Sequence, residues 1–201
     1  MLGVVTTRAE SAAATRRSLL EAAGVLLDIG GVEAVTLREV GARSGVSRSA
    51  AYRHFADKES LLAVLATNAL NELGDQLEEL AAGDDAPKEA LRSALLSLIA
   101  LGRSRPYLYR LIFATPPADL MAAAQAGERT QRLFLDLVGR ITGAKEARRY
   151  GALLLASAHG VTGLDLSGHL DLNKWHTDAE ELVDTMIGML PAVTTRAPGD
   201  P

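Results

Sequence analysis

Residues 36–61, TLREVGARSGVSRSAAYRHFADKESL, constrain this chain more than any other stretch, because their start and stop signals crowd two short helices around a tight turn. Thr36 precedes Leu37 and has Glu39 three positions on, so its hydroxyl can cap a helix over residues 37–44 while the Glu39 carboxylate reaches back. Gly45 ends that helix, since a residue without Cβ takes the left-handed conformation cheaply, and Val46 can drop inward between the two helices. Ser47 caps the second helix, which carries Arg48, Ser49, Ala50, Ala51, Tyr52, Arg53, His54 and Phe55, and Asp57 caps a third. The spacing matches a helix-turn-helix, whose second helix enters the major groove of DNA.

The run T-L-R-E-V-G-A-R-S-G-V-S, followed by Tyr52, Arg53, His54 and Phe55 and then by Lys58 and Leu61, resembles the DNA-binding domain of the TetR family of one-component transcriptional regulators. The likeness spans about residues 12–62. Further on, Ala158, His159, Gly160 and Val161 with the later Trp175 resemble a TetR ligand-domain subclass marked by a His-Gly pair in its penultimate long helix. The resemblance implies a ligand-responsive regulator, a repressor that binds a palindromic operator as a homodimer and leaves it on binding a small effector. It also implies backbone contacts to DNA for Thr36 and Arg38. Ser49, Ala50 and Ala51 depart from the Gly-Thr-Leu common in relatives, which leaves the operator sequence open.

Within the motif, Ser47, Arg48, Ser49 and Ala50 form the helix start expected to meet DNA, with Arg48 suited to the paired acceptors of guanine. Tyr52 fits either a core ring or a phosphate donor, and the two roles are compatible. Arg53 and His54 are candidate phosphate contacts. Lys58 lies in the first turn of the next helix, where free amides and an ammonium can grip one phosphate; a surface ion pair is the alternative.

The formal net charge is −4, yet residues 1–60 hold eight Arg and Lys against seven Asp and Glu, while the remainder holds 13 against 18. That asymmetry permits a phosphate-binding face without demanding one. There is no cysteine, so disulfides and thiolate metal sites are excluded. No apolar stretch is long enough to cross a bilayer and the N-terminus lacks an export pattern, so the chain is expected to be cytoplasmic. His159, His169 and His176 lack the spacing of a metal site, no phosphate loop, dinucleotide fingerprint or nucleophile elbow occurs, and neither cofactor nor enzymatic activity is expected. The competing readings are a helical-bundle binder or enzyme with an incidental helix-turn-helix, and a constitutive DNA binder.

Helical periodicity elsewhere predicts an all-α fold of about nine helices. Residues 12–29 form a supporting helix stopped by Gly30 and Gly31; a long helix runs from Asp57 to about residue 82. Further helices follow over 87–104, 107–113, about 118–141, 145–166 and, capped by Thr177, 177–190. Residues 1–11 are expected to fray, and the tail 192–201 to be disordered. The domains expected are 1–60 for DNA and 61–191 for effector binding and dimerisation. Aromatics are scarce, yet Tyr107, Tyr109, Phe113 and Phe134 fall among Pro-broken helices; with His159 and Trp175 they form the expected lining of a mainly apolar effector site. The last two long helices carry more apolar residues than one buried face requires, which points to a four-helix dimer interface through Leu155, Leu182, Val183, Met186, Ile187 and Leu190.

Overall fold

The structure, a computed structural model, describes residues 7–114 and 121–191, without the side chain of Arg48. These residues form ten helices and no strand: α1 (Arg8–Ala34), α2 (Leu37–Arg43), α3 (Arg48–His54), α4 (Lys58–Ala82), α5 (Pro87–Ser104), α6 (Pro106–Phe113), α7 (Met121–Thr142), α8 (Ala147–Leu166), α9 (Leu172–Trp175) and α10 (Ala179–Gly188). The expected tail lies outside the described residues, as does any start of α7 before Met121.

The all-α prediction holds, and the departures are local. Helix α1 begins at Arg8 rather than fraying, because Thr7 and Glu10 close a capping box in which each backbone N–H is taken by the other's side chain. Gly30 and Gly31 interrupt α1 as expected, but one more turn follows before Val35. The additional element is α9, a single turn set up by the Asp171 carboxylate accepting from Asn173 N at 2.7 Å. Helix α10 is capped by Asp178 rather than Thr177, since one carboxylate oxygen accepts from both Glu180 N and Glu181 N at 2.9 Å.

The chain divides into two compact units, 1–69 with 107–124 and 70–106 with 125–201, where the sequence had suggested a boundary at residue 60. In the first, Leu19, Ala23 and Leu27 of α1 are buried with Val35, Val40, Ala51, Phe55 and Leu61. In the second, Leu91, Leu95 and Ile99 of α5 are buried, as are Leu154, Ala158 and Val183, and α5 packs on α8 and α10. Arg92 reaches across to α10 in a fork to Asp184, at 2.5 and 3.2 Å, which holds the Asp184 carboxyl below its ordinary value and raises the guanidinium. Arg103 makes the matching clasp to Asp165 of α8, and Arg129 of α7 pairs with Asp75 and Glu78 of α4.

Candidate nucleic-acid interface

The geometry of α2 and α3 follows from three caps and one close approach. Thr36 Oγ1 accepts from Glu39 N at 3.2 Å, so half of the expected capping box forms; the Glu39 carboxylate pairs instead with Arg38 at 2.8 Å. Ser47 Oγ accepts from Ala50 N at 3.2 Å and starts α3, and Asp57 Oδ1 accepts from Ser60 N at 2.7 Å and starts α4. Between α2 and α3 the chain reverses at Gly45, with φ of 71°, and Val46 N donates to Gly41 O at 3.1 Å. A side chain at Gly41 would stand in contact with Ala51 Cβ and Val46 O, which is how closely the two helices meet.

This packing sorts the predicted contacts by face. Ser47, Ser49, Tyr52 and Arg53 are exposed on the outer side of α3, Tyr52 at 48%. Arg48 opens the helix, and its side chain lies outside the described residues. Ala50 is a correction: at 8% exposure it is buried with its neighbour Ala51, and its methyl group is spent on the core side of α3 rather than offered to DNA. Thr36 and Arg38 are exposed at the start of α2. Lys58, half-buried in the first turn of α4, stands 3.9 Å from Glu33 Oε2, an ion pair of little energetic weight. His54, half-buried, ends α3, and its carbonyl accepts from Arg16 Nη1 at 3.1 Å, a contact from α1 that no sequence signal announced.

The six residues proposed for an effector site fall in two different units. In the first, Tyr109 is buried and its ring centroid stands 5.0 Å from that of Phe113, which is exposed. Tyr107 is half-buried against Gly31, where φ is 67°; a Cβ there would lie 2.8 Å from two atoms of its ring. In the second unit Phe134 packs against the cluster of Leu77, Ala90, Ala94 and Leu137. His159 is exposed on α8, and Trp175 is 55% exposed with its Nε1 donating to His169 O at 2.9 Å. An open groove of about 590 Å³ does run along α7, past Arg132, Leu135, Asp136, Arg140 and Arg148, and none of the six lines it.

The predicted dimer residues also divide. Val183, Ile187 and Leu190 are buried inside the chain, so they serve its own core, while Leu182 and Met186 are half-buried and Leu155 is exposed. On α8 two further large apolar residues are exposed, Leu153 at 58% and Leu164 at 47%.

No helix among the described residues is long and apolar enough to cross a membrane, and no group of side chains there could hold a metal ion. Residues 19–65 match the family described as bacterial regulatory proteins, tetR family, and residues 91–190 match the tetracyclin repressor-like C-terminal domain. An uncharacterized HTH-type transcriptional regulator of Mycobacterium tuberculosis strain ATCC 25618 / H37Rv is 30% identical over 167 residues, 79% of this chain and 83% of that protein. Two solved structures from Rhodococcus sp. RHA1 are similar: a transcriptional regulator at 28% identity with a TM-score of 0.66, covering 87% of this chain and 95% of the other, and a protein of unknown function at 25% identity with a TM-score of 0.75, covering 88% and 95%.

Proposed function

This chain belongs to the TetR family of bacterial regulatory proteins and is a transcriptional regulator rather than an enzyme, and from that premise we propose that it is a homodimeric, cytoplasmic repressor of a palindromic operator, released by a small, mainly apolar effector. The observation that carries this reading is the α3 surface: Ser49, Tyr52 and Arg53 stand outward on a helix whose inner side, Ala50 and Ala51, is fixed against the core. Such a helix offers polar groups to a DNA groove while its backbone stays in register. In this reading Lys58, the exposed α2 start at Thr36 and Arg38, and the Tyr52 hydroxyl hold phosphates and set orientation, and Arg48 and Ser49 read base edges.

Dimers and ligand binding are typical of this family. The support for a dimer here is the outer side of α8, where Ala152, Leu153, Ala156, His159, Gly160, Gly163 and Leu164 are all exposed across four turns. Small residues let two copies of the helix approach closely, and burying Leu153 and Leu164 supplies the hydrophobic gain. Phe134, beside the apolar cluster of the second unit, is the residue we favour for contact with the effector.

Selection from a random duplex library with the full chain tests the reading. The expected product is two inverted half-sites whose centres lie about 34–36 Å apart or a multiple of that, bound by a dimer. Selection that enriches no sequence would overturn it, and an enriched single half-site bound by a monomer would overturn the dimer.

A further inference from the structure

Arg16 of α1 lies outside the helix-turn-helix, yet its guanidinium ends at the far tip of α3. Its Nη1 donates to the His54 carbonyl at 3.1 Å, and its Cζ stands 4.4 Å from the centroid of the Phe55 ring. His54 is the last residue of α3 and Phe55 its C-cap, so the accepted bond goes to one of the carbonyls that a helix end leaves without an intrahelical partner. A cation at that end also meets the negative pole of the helix. Phe55 is 3% exposed, which fixes the face on which the guanidinium rests.

The contact matters because α3 has only seven residues, Arg48–His54, and a helix of two turns does not hold itself. Its start is held by Ser47 and its middle by Ala50 and Ala51. The C-terminal turn carries Tyr52 and Arg53, both exposed, and the Arg16 guanidinium, with one hydrogen bond to the His54 carbonyl and its Cζ over the Phe55 ring, ties the end of this turn to α1.

We infer that Arg16 is a positioning residue for DNA recognition, which clamps the C-terminal end of α3 through the His54 carbonyl and the Phe55 ring and so fixes the helix that reads the operator. The inference rests on the DNA-binding function proposed above. Arg16 reaches DNA only through α3: its charge is used within the protein, and it neutralises no phosphate.

Arg16→Met keeps an apolar side chain over Phe55 and removes the donor and the charge, and Arg16→Lys keeps a charge without the planar fork. The operator is the duplex that the wild-type chain selects from a random library; if the wild type selects none, the functional reading fails and this inference with it. Given that operator, Arg16→Met is expected to bind it about tenfold more weakly while random duplex is bound as before and the salt slope stays within a few tenths of wild type. Arg16→Lys should restore part of the loss. Amide exchange at Phe55, whose N–H donates to Ala51 O, should quicken in Arg16→Met without any DNA present. A salt slope lower by about one, with equal loss on random duplex and full rescue by lysine, would make Arg16 a phosphate contact and overturn the inference. Unchanged operator affinity would overturn it as well. If Arg16→Met does not fold, the same comparison made on Arg16→Lys decides, since a phosphate contact predicts wild-type affinity for it and a clamp predicts a loss confined to the operator.

Discussion

Gly31 offers the sharpest quantitative test of how the first unit is built. Its φ of 67° and ψ of −165° lie in a region essentially closed to any residue with a side chain. The same residue faces the Tyr107 ring, and a Cβ built on it would come within 2.8 Å of Cδ1 and Cε1. Gly31→Ala therefore meets two separate costs. The backbone conformation costs about 1–3 kcal/mol, and forcing a methyl group into a packed ring costs about another 1–3. The total, about 2–6 kcal/mol, is a large part of what a single domain has, and in a unit of this size it should lower Tm by about 10 °C or more. The two costs can be separated. In a Tyr107→Ala background the ring is gone, so Gly31→Ala should cost only the backbone part, and a double-mutant cycle in urea should return a coupling of about 1–3 kcal/mol. Equal losses in both backgrounds would show that the ring is not the obstacle. A loss under about 0.5 kcal/mol in the wild type would refute the whole argument, because neither strain nor overlap could then exist.

Four further outcomes follow from the same geometry. Because the Asp184 carboxyl is held below its ordinary 3.8 by Arg92, its contribution is present above that value and is lost as pH falls through the lower folded value; urea midpoints should drop below about pH 4, and Arg92→Gln should flatten that part of the profile. Lys58→Ala and Tyr52→Phe should weaken all duplexes alike, with Lys58→Ala lowering the salt slope by about one, whereas Arg48→Ala should relax preference at one operator position by about 1–3 kcal/mol in competition binding. Leu153→Glu or Leu164→Glu should yield folded monomers by sedimentation, and a dimer that survives both would move the interface away from α8. Phe134→Ala should weaken effector-induced release while leaving effector-free operator affinity in place, as read by fluorescence anisotropy on labelled operator.

Much of this was legible because capping is local. Thr36, Ser47 and Asp57 each accept from a backbone amide three residues on, so the starts of α2, α3 and α4 needed no tertiary knowledge. The same rule applied to Thr7 and Glu10 would have found the start of α1, but residues 1–11 lack an apolar period and drew attention away from the capping signature. What was not legible depends on distant pairs. Nothing near Arg16 in sequence indicates a bond to a carbonyl 38 positions on, and nothing near Tyr107 indicates a ring seated on Gly31. An aromatic beside a proline break suggests pocket lining, and the sequence does not show that the Tyr107 ring also occupies the space a side chain at position 31 would take.

Helices α8 and α10 show where a periodic reading stops in a chain made of helices. An apolar stripe states that a surface is to be covered, and it does not state whether the cover is the same chain or another copy. On α10 the conspicuous stripe of Val183, Ile187 and Leu190 is covered from within, because α5 and α8 pack against it and the Arg92 fork holds it there. On α8 the inner face uses Gly151, Leu154, Ala158 and Val161, which leaves a second face from Ala152 to Leu164 of small and apolar residues with His159 among them and no Asp, Glu, Lys or Arg. The presence of an apolar stripe nominates α10 as readily as α8 for an interface. Subtracting the residues that the chain's own core consumes separates the two, and only what is left exposed bears on association.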